Sequence, residues 1–184
     1  MPIALLALVV ALLAGMAHGT GIDADASRVG FHMVTRWGQA LDGRFPTVRG
    51  AVDDVGGDQH RVRLILSTDD VEIVGHPGYT RFARGRGFFD SARWPSVEFV
   101  SDPYAPQLLQ SGGALGGVLR MRGVQRREVF VLEPASCERP GIDCDVVASG
   151  RVRRSDYGMR RWRIALGDEV RFSLRMRLQQ EPAQ

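Results

Sequence analysis

From Arg28 onward, apolar residues recur at every second position in run after run, and Gly, Pro and Asp break the runs apart. Val29, Phe31 and Met33 alternate with Gly30, His32 and Val34, which predicts a strand over about 28–36. The turn residues Gly38 and Asp42-Gly43 then precede a second strand over about 44–55. Val62, Leu64 and Leu66 oppose Arg61, Arg63 and Ile65 in a third, with its arginines mainly outward. Val97, Phe99 and Ser101 share one face of a fourth. Leu119 and Met121 share one face of a fifth, after the flexible Ser111-Gly112-Gly113 turn.

A sixth strand spans about 128–132, but Val129, Phe130, Val131 and Leu132 are all apolar, so periodicity leaves its inward face open. Val146, Ala148, Gly150 and Val152 mark a seventh. The eighth is the cleanest, with Val170, Phe172, Leu174, Met176 and Leu178 on one side and Arg171, Ser173, Arg175 and Arg177 on the other. A slip of one residue there would bury three arginines, so its register is strongly fixed. Between His76 and Arg86 alternation disappears, which predicts a short helical or irregular segment. Eight short strands suit an all-β, eight-stranded antiparallel lipocalin-like barrel, because closure removes exposed sheet edges. A two-sheet sandwich is the alternative.

The first nineteen residues carry no charged side chain and are too short to span a bilayer comfortably, so they predict a secretory signal peptide cleaved before Thr20. A retained anchor is the competing reading. The domain is then residues 20–184, with 44% apolar residues over the whole chain, enough for one core. Export places the protein in the periplasm and gives Cys137 and Cys144 a meaning. They flank a Pro/Gly turn in CERPGIDC, where a disulfide is expected, and the spacing fits neither a CxxC redox motif nor a zinc site.

All 24 basic residues are arginine, giving a net charge of +3. They are spread along strands, which argues against nucleic acid as partner. The densest group, Arg151, Arg153, Arg154, Arg160, Arg161 and Arg163, reads first as a solvated barrel face and second as a contact for anionic headgroups.

Catalytic chemistry is hard to assemble. His32, His60 and His76 lack metal-ligand spacing, and nucleophile elbows and phosphate loops are missing. Asp53-Asp54 and Asp69-Asp70 fall at strand ends, where turn formation explains them. Asp156 is expected to pin a strand end through an arginine, and the glycines read as bulges or barrel corners. No enzyme activity, metal or cofactor is expected.

An eight-stranded barrel either fills its interior or holds a small ligand. Phe31, Met33, Phe99, Met121, Phe172 and Met176 bring long, flexible or aromatic side chains to the inward faces. Leu64, Leu119, Phe130 and Leu174 join them as candidate ligand contacts. Phe88, Phe89 and Trp94, in GFFDSARWPSVEFVS, are expected to line or close one end, with Pro95 stopping the irregular segment so that Val97 and Phe99 enter the sheet.

Six pieces in order carry a family resemblance: SRVGFHM from Ser27, GRFPTVRGAVDD from Gly43, GFFDSARWPSVEFVS from Gly87, GVLRMRGVQRREV from Gly117, RRSDYGM from Arg153 and GDEVRFSL from Gly167. The chain resembles the YceI family of exported, lipocalin-like, polyisoprenoid-binding proteins. The resemblance implies an elongated barrel whose apolar interior takes up an isoprenoid chain, as of a quinone or polyprenyl lipid, for transport, storage or protection. It implies no catalysis and no metal. Thr35 stands where relatives often have histidine, and Arg120 or Gln125 where they have threonine, while residues 70–87 match poorly. The mouth and its ligand are therefore expected to differ. The competing function is a non-catalytic envelope or stress protein acting through its arginine-rich surface on membranes or partners. Monomer and homodimer are both left open.

Overall fold

A computed structural model describes residues 19–180, so the expected leader lies outside the described residues apart from Gly19. The element order is β1 (Thr20–Gly21), β2 (Arg28–Val34), β3 (Ala40–Phe45), β4 (Val48–Gly56), β5 (Gln59–Ser67), β6 (Glu72–Ile73), α1 (Pro77–Arg84), β7 (Ser96–Ser101), α2 (Gln107–Ser111), β8 (Gly113–Met121), β9 (Val124–Leu132), β10 (Val146–Arg153) and β11 (Glu169–Met176). A 3-10 turn, Arg154–Tyr157, follows β10.

These strands form one antiparallel sheet in the order β1-β4-β5-β7-β8-β9-β10-β11-β2-β3-β6. Eleven strands stand where eight were expected, and a proline accounts for the main difference. The expected second strand begins at Ala40 rather than Arg44, and it breaks at Pro46-Thr47, where proline supplies no N–H to a ladder. Its first part, β3, pairs with β2 and its second part, β4, pairs with β5. Residues 40–56 therefore act as one bent stave that passes from one end of the hydrogen-bonded order to the other, and the sheet curls round on itself. Asp42-Gly43, expected as a turn, lies within the ladder, opposite His32 and Phe31. The remaining additions, β1 and β6, contain only two residues each.

Closure at one end uses the chain around β1. The Ile22 N–H donates to the Gly50 carbonyl at 2.9 Å, the Asp23 N–H donates to the Arg177 carbonyl at 2.9 Å, and Ile22 bridges Leu178. At the other end β6 leads into α1. The helix presents Ala83 inward and leaves Tyr79 and Phe82 exposed.

Register decides what periodicity could not. In β9, Phe130 and Leu132 are buried, whereas Val129 and Val131 are exposed. Phe130 faces Gly150 across the β9–β10 ladder, and a Cβ at Gly150 would lie 2.6 Å from Phe130 Cδ1. The same device recurs. A Cβ at Gly43 would collide with the Phe31 ring, and one at Gly117 would lie 2.5 Å from Phe99 Cζ. Gly43, Gly117 and Gly150 were expected to be bulges or corners. All three instead sit in regular pairing and seat an aromatic ring on the neighbouring strand. A register shift does occur between Asp54 and Gly56, where β4 turns into β5.

The strand end expected to rest on Asp156 rests on Asp168. Asp156 reaches only Arg126, at 3.8 Å. Asp168 accepts from the Ser155 hydroxyl at 2.6 Å, from the Ser155 N–H at 3.0 Å and from Arg153 Nε at 3.2 Å. Burial alone would raise the Asp168 pKa, but those three donors outweigh it and hold the carboxyl below its usual range.

Candidate functional site

Six phenylalanines run across the barrel interior in an unbroken sequence of ring contacts. Phe89 meets Phe45 at 5.6 Å between centroids, Phe45 meets Phe31 at 5.5 Å, and Phe31 meets Phe172 at 6.2 Å. Phe172 then meets Phe130 at 6.4 Å, and Phe130 meets Phe99 at 5.0 Å. Edge and tilted contacts of this kind add stability beyond area burial. Inward glycines make room for three of these rings.

The ring sequence runs from one cavity to another. The smaller, of about 330 Å³, is walled by Phe31, Met33, Phe88, Phe89, Met121 and Phe172, among others. The larger, of about 540 Å³, is walled by Leu64, Phe99, Leu119, Phe130, Leu174 and Met176, and again by Phe172. Both volumes fall in the range of small-molecule sites. Phe172 is the one residue that lines both spaces.

Twelve of the thirteen expected contact residues thus line one cavity or the other, although they divide between two compartments rather than sharing one. Trp94 lines neither. Its ring packs over Gly123, where a Cβ would lie 2.5 Å from Trp94 Cη2, and its carbonyl accepts from the Thr68 hydroxyl at 2.7 Å. The guanidinium of Arg93 stacks on that ring at 5.1 Å. Gly123 has φ +74, so the turn after β8 needs a residue without Cβ both for conformation and for Trp94. The indole therefore braces this turn rather than lining either cavity.

The smaller cavity opens between the β2–β3 turn, α1 and the loop before β11, where Trp37, Phe82 and Trp162 form part of its lining. Strand periodicity could not have found these residues, because Trp37 and Trp162 stand on a turn and a loop and Phe82 on the short helix α1. Beneath the mouth lies Arg154, which is 1% exposed. Its Nε donates to the Gly167 carbonyl at 2.8 Å, Nη1 to those of Met159 at 2.5 Å and Arg161 at 2.8 Å, and Nη2 to that of Leu166 at 3.2 Å. Burial lowers its pKa, and the Asp168 charge opposes that effect. One buried guanidinium thereby organises the loop around residues 158–167 through its backbone.

The larger cavity ends against α2 and the cysteine loop, with Leu109, Gln110 and Pro140 in its wall. Cys137 and Cys144 form a disulfide. Gln110 Nε2 donates to the carbonyls of Cys137 at 3.2 Å and Glu138 at 2.7 Å, which ties helix and loop into one cover. The polar groups here are few. His60 and Tyr104 meet edge to face at 6.2 Å, and Asp54 lies in the same wall.

Tyr157, in the 3-10 turn that follows β10, is fully buried and donates to Glu128 Oε1 at 2.7 Å. Burial first, then the Glu128 carboxylate, pushes its pKa far up, so it stays a neutral structural donor. Among the described residues no group of His, Cys, Asp and Glu could hold a metal ion. The cavities offer apolar walls with a few polar groups at their ends. They can enclose an apolar chain.

Known proteins share this architecture. BcnA from Burkholderia cenocepacia superposes with a TM-score of 0.65 at 19% identity, covering 84% of this chain and 98% of BcnA. A polyisoprenoid-binding domain from Saccharophagus degradans implicated in plant cell wall breakdown gives 0.64 at 14% identity, covering 86% of this chain and 97% of that domain. The Campylobacter jejuni YCEI protein gives 0.58 at 16% identity, covering 76% and 85%. No curated protein matches the sequence. The profile of the YceI-like domain matches residues 21–178, nearly the whole described chain, and the protein belongs to the YceI family.

Proposed function

We propose that this protein is an exported carrier that holds an isoprenoid chain, such as that of a quinone or polyprenyl lipid, in the apolar interior of its barrel, with no bond made or broken. The observation that carries this reading is the pair of apolar cavities flanking Phe172. The similarly folded domain from Saccharophagus degradans is a polyisoprenoid-binding one, which supports the ligand class. Burial of an apolar chain in such walls contributes roughly 25 cal/mol per Å². The guest is transported, stored or protected; it is not transformed.

Export to the periplasm fits the uncharged apolar leader and the Cys137–Cys144 disulfide, which persists in oxidising compartments. The experiment that tests the function is native mass spectrometry of protein purified from its own host, followed by identification of the released molecule. Co-purifying isoprenoid lipid is the expected result. A barrel that carries no lipid and takes up no quinone analogue would refute the reading.

A further inference from the structure

Three segments surround the mouth of the smaller cavity: residues 34–40, residues 74–89 and residues 158–167. Together they contain seven arginines and no aspartate or glutamate. The rest of the chain then holds 17 arginines against all 21 acids, so a molecule of net charge +3 is divided into a mouth of +7 and a body of −4. None of Arg36, Arg81, Arg160 and Arg163 forms an ion pair among the described residues. Many arginines along the barrel wall are paired with carboxylates; these four are not.

The same rim exposes large apolar side chains. Trp37 is 79% exposed, Ile164 81%, Phe82 57%, Trp162 54% and Tyr79 44%. A soluble surface scatters such residues singly, whereas here they cluster around one opening. They are also held in place. Phe82 and Trp162 meet edge to face at 6.3 Å, the Arg36 N–H donates to the Ala165 carbonyl at 2.9 Å, and the Gly167 N–H donates to the Val34 carbonyl at 2.9 Å. Arg154 fixes the third segment from beneath. The rim is therefore preorganised.

Indole and phenol rings interleaved with arginines suit the interface of a bilayer, where the rings enter the headgroup region and the guanidinium groups meet phosphate. We infer that the mouth of the smaller cavity is a docking surface for an anionic phospholipid membrane, seated so that the cavity opens toward the acyl chains. This rests on the carrier function proposed above and gives it a route: the guest passes between bilayer and barrel without crossing water.

The test is flotation of the full protein with phosphatidylcholine vesicles, with and without phosphatidylglycerol, combined with tryptophan emission. Docking is expected on the phosphatidylglycerol vesicles, with a blue shift. Trp37→Ser with Trp162→Ser should abolish the shift and weaken binding about tenfold or more. Both side chains are exposed, so folding is spared, and circular dichroism checks this. Trp94→Phe, away from the mouth, should retain binding and shift. Arg160→Ser and Arg163→Ser should cost about fivefold each.

Failure to float with anionic vesicles overturns the inference, and so does binding that survives loss of both rim tryptophans. A concentration-dependent dimer that hides the rim and does not float also overturns it. Uptake of a quinone analogue from detergent is measured in parallel. Docking without uptake defeats the carrier function alone, and uptake without docking defeats the membrane inference alone.

Discussion

Replacing Phe172 with alanine would remove the one aromatic ring that faces both cavities, and the structure sets the size of the effect. The side chain is 6% exposed and contacts the rings of Phe31 and Phe130 at 6.2 and 6.4 Å. Truncating a buried phenylalanine costs about 3–5 kcal/mol, because transfer energy is lost and the surrounding sheet cannot collapse into the space. For a domain of this size each kcal/mol corresponds to about 2–4 °C, so the midpoint should fall by roughly 6–20 °C. Phe172→Leu keeps most of the volume and should cost about 1.5 kcal/mol or less.

The functional consequence differs in kind from the loss of stability. The ring is the one side chain that lines both spaces, of about 330 and 540 Å³. Its truncation is expected to join them. Native mass spectrometry with farnesol, geranylgeraniol and solanesol, together with a thermal melt, reads both effects. Phe172→Ala should shift preference toward the longest chain, whereas Phe172→Leu should preserve the native order. An unchanged order in the alanine variant, or a destabilisation below about 1 kcal/mol, would show that Phe172 is not a packed partition.

Phe89→Leu should weaken retention of a bound isoprenoid because Phe89 lines the smaller cavity, whereas Trp94→Ala should lower the melting temperature and leave retention unchanged. Native mass spectrometry and thermal melts separate the two. Asp168→Asn should cost about 1 kcal/mol at neutral pH, a modest figure because the carboxylate is partly solvated. Its folded pKa lies below the unfolded value of about 3.9, so this stability is present above that value and disappears as pH falls through the folded pKa. Urea titrations of wild type and variant should therefore converge at strongly acid pH. Reducing the Cys137–Cys144 disulfide should cost about 2–3 kcal/mol and speed loss of guest from the larger cavity, whose cover it braces. A reductant titration followed by ligand release measures both.

Much of this barrel could be read from period-two alternation because each stave has one wet face and one dry face. β11 shows why alternation is informative: a slip would bury Arg171 and Arg175, so sequence alone pins its register. Alternation is silent where both faces are apolar, as in β9, or where the chain bends. Residues 40–56 kept their alternation through Asp42-Gly43, but a dipeptide favoured in turns argued for a boundary there. The real boundary was Pro46, where a missing donor lets the stave change partners. Loop residues carry no period, so the exposed Trp37 and Trp162 were invisible to it, as was the buried Arg154 among its exposed neighbours.

The inward glycines connect these successes and failures. A glycine in a strand weakens it unless something occupies the space, and here Phe31, Phe99 and Phe130 do so from the neighbouring strands. A bend at Gly43, Gly117 or Gly150 would be a property of that glycine's own strand. Their function lies in cross-strand pairing, which exists only once register is fixed. The three seated rings, joined through Phe172, set where the interior is filled and where it stays open. Hydrophobic alternation therefore determines that there is an interior, and the placement of residues without side chains decides where three of its aromatic rings sit. A guest meets the second arrangement.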